Sequence, residues 1–462
     1  MPILGGIMVP HPPLIVPAVG KGEEHIIDET ATAYREAAKL VAELQPETIV
    51  LSTPHSILYS DYFHISPGMG ATGSLAQFRA PEEKFTVDYD TDFVTALCSL
   101  ADVNDFPAGT EGERNRNLDH GTMVPLHFIH QQYKAYKLVR IGLSGLSLAD
   151  HFRIGHMIAQ VARELDRRVV YVASGDLSHR LQPDGPYGFD PHGPVYDERI
   201  MDVMGRAAFD ELPDFEEDLC EKASECGHRS FCMMAGALDG LALETKKLSH
   251  QDITGVGYGI CTYRVTGEDP ERQMLARWEG RRKAALDAKR ASEDPYVRLA
   301  RASLTSWVRD GRQIAVPADV PAEMLSKRAG AFVSLHKEGQ LRGCIGTIGP
   351  VQANLAEEII ENAVSASARD PRFSPVREDE LDSLEISVDV LGETETIASP
   401  AELDVKRYGV IVTKGGKRGL LLPNLDGVDT VEEQLSIAKR KAGLRADEEG
   451  CMLERFEVVR HH

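Results

Sequence analysis

The chain has 462 residues, of which 42% are hydrophobic and 27% charged, and its formal net charge is −21. That length calls for two or three domains, and the acidic balance argues against a broad nucleic-acid or anionic-membrane surface. No apolar run reaches the roughly 18 residues of a membrane-spanning helix, and the seven cysteines lack zinc-type pairing, which favours a reducing cytoplasm.

The opening "MPILGGIMVPHPP" has neither a basic segment nor a small-residue cleavage site, so no secretory leader is expected. "PILGGIMV" reads as a strand, and "EEHIIDETATAYREAAKLVAEL" has the apolar spacing of a helix. "TIVLST", "YKLVRIGLS" and "RVVYVAS" are further strands, the last two separated by the helical "ADHFRIGHMIAQVARELD". This alternation predicts an α/β domain over residues 1–266, a mixed sheet flanked by helices, with "GYGICTYRV" as its last strand. Residues 267–294 are charged and helix-prone, and read as a helical linker. From 295 to 462 the pattern becomes helix, hairpin ("GAFVSLHKEGQLRGCIGTIG"), helix and several strands, which fits a smaller α+β domain.

Thirteen of the sixteen histidines precede residue 270, and their placement is informative. His11 follows the first strand in "MVPHPPLIVP", where Pro10, Pro12 and Pro13 restrict the backbone. His55 follows the second strand in "STPHS", and His179 follows "VVYVA" in "SGDLSH". Ligands of open α/β sheets bind beyond the carboxyl ends of the strands, so these three histidines are expected in one crevice. His120, in the Gly- and Pro-marked "LDHGTMVPLHFIH", is expected in a loop of the same crevice. Imidazole and carboxylate donors suit iron, zinc or manganese. Glu225 offers a carboxylate beside Cys226, although a glutamate at the start of a helix also complements the helix dipole. Asp176 reads equally as a turn or N-cap residue.

With "VPHPPL", "STPHS", "LDHGTMVPL" and "ASGDLSH" in this order, the first 265 or so residues resemble the class III extradiol dioxygenase catalytic-subunit family, whose relatives include the Memo proteins. The resemblance implies non-haem Fe(II) held by His11, His55 and Glu225, with His179 as the acid/base and His120 lining the pocket for an aromatic diol and dioxygen. Memo relatives carry a cysteine where dioxygenases have the acid, and "ECG" offers Cys226 as the alternative third ligand. Two other readings stand beside the dioxygenase: a Memo-type metal-binding scaffold, and hydrolysis by zinc-bound water.

The second domain resembles the AMMECR domain through "LRGCIGT", "ARDPRF", "LEISVDVL" and "GLLLPN". That resemblance implies a shared pathway with a radical S-adenosylmethionine protein, and family likeness makes a homodimer plausible. Strand alternation predicts Arg342, Cys344 and Gly346 on one face, with Arg369 and Arg372 as an added anion site. The competing reading makes Cys344 a core thiol and the arginines loop ties.

Overall fold

The computed structural model describes residues 2–113, 116–337, 339–425 and 427–462. They divide into two compact units, Met1–Gly280 and Arg281–His462.

In the first unit, β1 (Ile3–Val9) leads through α1 (Pro17–Gly20) and α2 (Asp28–Leu44) to β2 (Thr48–Thr53). An excursion follows, made of β3 (Phe63–His64), β4 (Gly70–Leu75), β5 (Ala80–Asp88), α3 (Thr91–Val103) and β6 (Ala108–Gly109). The chain then runs through α4 (His120–His130), β7 (Lys137–Gly142), α5 (Leu148–Glu164) and β8 (Val169–Ser174). Helices α6 (His192–Arg206), α7 (Glu217–Ala223) and α8 (His228–Ala237) precede the closing strands β9 (Leu241–Gln251) and β10 (Tyr258–Glu268).

The main sheet has the order β7-β2-β8-β1-β10-β9. Its first four strands are parallel, β10 runs antiparallel to β1, and β9 runs antiparallel to β10. Strands β2 and β8 are buried along their whole length, as a sheet covered on both faces requires. One face packs on α2 and α4, the other on α3, α5, α6 and α8. Because β8 lies between β1 and β2, the segments after these three strands are neighbours. The register aligns their ends, with Val9 opposite Ser174 and Ser52 opposite Ala173.

Helix α9 (Met274–Ala291) lies within the stretch expected to be a charged helical linker. Its first turns are structural: Met274, Leu275 and Trp278 are buried in the core of the first unit, and the Trp278 indole N–H donates to Asp214 at 2.7 Å.

The second unit continues with α10 (Pro295–Asp310), α11 (Ala322–Ser326), β11 (Ala331–Lys337), β12 (Gln340–Gly346), α12 (Leu355–Ala368), β13 (Leu384–Leu391) and β14 (Glu395–Ile397). It ends with β15 (Gly409–Lys414), β16 (Lys417–Leu421), α13 (Val431–Lys441), β17 (Met452–Phe456) and β18 (Val458–His461). The strands form two antiparallel sheets, β12-β11-β13-β18 and β14-β17-β15-β16. Val333, Leu335, Ile386 and Val388 turn one face of the first sheet toward α10 and α12, leaving the opposite face to a groove.

Candidate functional site

The carboxyl edge of the main sheet gathers the expected histidines. His11 Nε2 lies 2.9 Å from His55 Nε2 and 3.6 Å from the Cys226 sulfur. His120 stacks on His55 with ring centroids 4.0 Å apart, and its ring meets the edge of His11. His11, His55 and Cys226 present donor atoms within 4.8 Å of one another, and Asp176, His179 and Cys226 form a second such group sharing the sulfur.

His11 is oriented by a chain of contacts that begins in the sequence of α4. Asp119 caps this helix, accepting from the Thr122 N–H, and the Thr53 hydroxyl also donates to it. The segment around His120 is therefore a helix, where a loop was expected, and Pro125 lies inside it. Proline has no N–H to give to the carbonyl four residues back, which is that of Gly121. The Ser174 hydroxyl takes this place, donating to Gly121 O at 2.6 Å. With its own proton so engaged, Ser174 Oγ accepts from His11 Nδ1, 2.9 Å away. The His11 proton is thus on Nδ1, and its Nε2 lone pair faces the cluster.

The other two loops are clamped together. The Asp176 N–H donates to the Cys226 sulfur at 3.3 Å, and the Cys226 N–H to Asp176 O at 3.4 Å. A Cβ on Gly175 would stand 2.1 Å from the Gly227 Cα, so this approach requires glycine at 175, while a Cβ on Gly227 would strike the Phe231 ring at 2.4 Å. Gly175→Ala is expected to part the loops, costing about 1–3 kcal/mol as an overpacking change. It should lose metal retention while keeping its far-ultraviolet dichroism; retention of metal by this variant would show that the clamp does not set the centre.

The structure departs from the expectation at Glu225. Its carboxylate turns away from the histidines and accepts from the His228 N–H at 2.6 Å, at the first residue of α8. There it satisfies an unpaired amide and complements the helix dipole. Glu225 is absent from both donor groups, where Cys226 supplies the third ligand atom.

Burial governs the electrostatics. Desolvation lowers His120 and His179 to about 4, and it also depresses His11 and His55, so all four rings are neutral near pH 7, the form that binds metal. Burial likewise raises the Asp176 carboxyl to about 7, opposed by the His11 N–H, and pushes the Cys226 thiol well above its ordinary value. A cation between these groups would reverse both shifts. The donor set thus fits a divalent metal.

Beside the cluster is a cavity of about 1110 Å³ whose walls include His55, His120, Phe78 and Arg140. Arg140 is fully buried, pairing with Glu113 and donating to Ser66 at 2.7 Å and to Asn117 O at 2.9 Å. His179 stands off this wall, stacked on Tyr187 at 5.0 Å.

Ser174, Pro125 and the place of Asp176 beside His179 and Cys226 were not legible as site features. The one available signal for Asp176 was its position in "SGDLSH", immediately past a strand end and three residues before His179.

In the second unit the expected set divides. The register of β11 against β12 shifts between Leu335 and His336, which leaves Arg342 without an opposite residue. This bulge puts Leu341, rather than Arg342, on the groove face with Cys344 and Gly346. Arg342 instead grips Glu380 through two bonds of 2.9 Å and donates to Ser374 O. Arg369 pairs with Glu361 at 2.6 Å and lies over the Trp307 ring. Arg372 binds Asp370 at 2.7 Å and donates to Cys344 O at 3.1 Å. Cys344 is half-buried and lines the groove, so it is not a sealed core thiol.

Residues 5–261, more than half of the chain, match the family of the catalytic LigB subunit of aromatic ring-opening dioxygenase. The chain belongs to the LigB family. Residues 297–461 match AMMECR1, so a LigB unit is fused to an AMMECR1 unit. A Clostridium acetobutylicum protein is 42% identical over 469 aligned positions, spanning 100% of this chain and 99% of its own length. A Thermotoga maritima protein is 52% identical over 170, covering 37% of this chain and 98% of its own. The crystal structure of an uncharacterized Pyrococcus horikoshii protein covers 36% of this chain and 88% of its own, at 35% identity and a TM-score of 0.34. No helix among the described residues is long and apolar enough to cross a membrane.

Proposed function

We propose that the LigB unit is a metal-dependent redox enzyme acting on a small aromatic diol with dioxygen. The observation that carries this reading is the convergence of His11, His55 and Cys226 beside a cavity walled by His55 and His120. His11, His55 and Cys226 would hold the ion, with Asp176 next to it. A divalent ion there supplies Lewis acidity and, when it is iron, the redox chemistry that dioxygen needs.

The protein's own groups carry the remaining tasks. His179, neutral at pH 7, takes a substrate hydroxyl proton and returns it later, a contribution of about 10²–10⁴-fold. His120 and Phe78 present ring faces and edges to a flat substrate, and Arg140, paired with both Glu113 and Asp119, fixes a guanidinium in the cavity wall.

A second reading is favoured by one observation, the thiolate donor in place of Glu225. His₂Cys donors also suit zinc and copper, and a Memo-type metal-binding protein without oxygenase activity would need the same three residues. Anaerobic purification followed by metal analysis and oxygen uptake over a catechol panel separates the two. About one iron per chain with diol-dependent oxygen consumption is the expected result. Zinc retention, or iron without oxygen consumption, overturns the oxygenase reading.

A further inference from the structure

The AMMECR1 unit contains a groove of about 1180 Å³, larger than the cavity beside the metal centre and made entirely from residues 286–462. One wall is the uncovered face of the sheet β12-β11-β13-β18. Antiparallel alternation places Ser334 opposite both Cys344 and Ser387 on this face, so hydroxyls and a thiol lie side by side. Arg418, Leu420 and Leu422, on or just after β16, contribute to the other wall, together with Lys441 from the last turn of α13.

The backbone is arranged to keep this space open. A Cβ on Gly343 would lie 2.3 Å from Ala366 O, so β12 sits directly against α12 on its covered face. A Cβ on Gly419 would lie 2.2 Å from Ala438 O, so α13 is drawn onto β16 and Lys441 reaches the groove. The glycines of "LRGCIG" and "KRGLLLP" therefore position Cys344 and Lys441 on a common space.

The charge of the groove runs against that of the protein. Seven Lys and Arg side chains line it against three Asp and Glu, in a chain whose formal net charge is −21. The three acids are each already paired with a lining base: Glu293 with Arg301, Glu385 with Lys289, and Asp389 with Arg460. Lys441 is different, since no carboxylate among the described residues pairs with it. Its electrostatic neighbours are the Cys344 thiol and the Arg372 guanidinium, and desolvation together with Arg372 holds its ammonium below the ordinary value. Arg372 is itself held by Asp370 through bonds of 2.7 and 2.9 Å, so the uncompensated charge at this point is the Lys441 ammonium, which an anion beside it would satisfy. The Ser334 hydroxyl donates its one proton to the Cys344 sulfur at 3.3 Å, which fixes the thiol at the same point.

We propose that this groove is a binding site for a small molecule bearing a carboxylate or phosphate. The anionic group sits between Arg372 and Lys441 against the Cys344 sulfur, and the apolar remainder lies along Phe332, Leu420 and Leu422. Arg342 and Arg369 take no part, because neither lines the groove.

The test uses Cys344 as its reporter in the full-length chain. Iodoacetate is anionic and iodoacetamide neutral, yet both alkylate by the same step: the sulfur forms a bond to carbon, iodide leaves with the electron pair of the broken bond, and the thiol proton passes to buffer. Peptide mass analysis follows Cys344 separately from the other six cysteines. The iodoacetate-to-iodoacetamide rate ratio at Cys344 is expected to be about tenfold higher in folded than in urea-unfolded protein, the low end of electrostatic focusing. Lys441→Gln, a change at a helix end that leaves the core untouched, should return the ratio to the unfolded value, with Cys451 unaffected. Protection of Cys344 by inorganic phosphate identifies a phosphate ligand, and protection by acetate a carboxylate ligand. The proposal is overturned if the folded ratio equals the unfolded one, if Lys441→Gln retains the elevated ratio, if neither anion protects, or if Cys344 is alkylated only after unfolding.

Discussion

Replacing His11 with alanine is expected to weaken metal binding by more than about 100-fold while leaving the fold intact. The figure is bounded from below by the roughly 10–100-fold cost of removing a group that merely orients a ligand, and in the proposed centre His11 would supply a ligand atom itself. Its Nε2 lies 2.9 Å from the His55 Nε2 and 3.6 Å from the Cys226 sulfur. Three companion variants locate the effect. Ser174→Ala, which removes the acceptor for His11 Nδ1, should fall in that 10–100-fold range, because the ring is then free to carry its proton on Nε2. Cys226→Ala should match His11→Ala. Glu225→Gln should retain the metal and weaken only the start of α8, by about 1 kcal/mol, as loss of a charged cap does. Metal titration with a competing chelator reads all four. Loss of metal in Glu225→Gln together with retention in Cys226→Ala would reinstate the carboxylate as third ligand.

The second large effect belongs to the AMMECR1 unit. Arg342→Ala should destabilise it by about 3 kcal/mol, the low end for breaking a buried ion pair, because Glu380 keeps Lys337 at 3.3 Å and the Arg377 N–H at 3.0 Å. Glu380 is only 6% exposed, and Arg342 is its bidentate partner. Burial alone would raise the Glu380 carboxyl; the bonds from Arg342 and the Arg377 N–H, with the charges of Arg342 and Lys337, prevail and hold it at about 2, against 4.5 for an unperturbed glutamate. A carboxyl depressed in the folded state contributes stability that is present above the unfolded pKa and disappears as pH falls through the folded one. The gap between native protein and Arg342→Ala should therefore be full at neutral pH, narrow below about 4.5 and largely close near 2. Calorimetric unfolding over that range, following the transition of this unit, measures it. A gap independent of pH would mean that Arg342 acts through packing of its aliphatic stem.

Much of this was legible from the chain. Apolar runs bounded by Pro, Gly and His placed β1, β2 and β8, and with them the strand-end positions of His11, His55 and His179, since burial on both faces demands continuous apolar strands. Reading "LDHGTMVPLHFIH" as a loop failed because a proline ordinarily breaks a helix. Here the orphaned Gly121 carbonyl is satisfied by Ser174, a residue 53 positions away, and local sequence carries no sign of that partner. Alternation likewise placed Arg342 beside Cys344, since the bulge that turns it toward Glu380 depends on how β12 pairs with β11.

The sequence by itself determined which chemical groups stand at the carboxyl edge of the sheet, because strand burial and proline-restricted exits are local properties. It also determined the two families, through ordered motifs. The tertiary structure alone shows which of the adjacent residues Glu225 and Cys226 faces the histidines. Where α8 begins, and how closely Gly175 approaches Gly227, are set by packing between segments some 50 residues apart, and that packing turns the sulfur toward His11 and the carboxylate toward the helix.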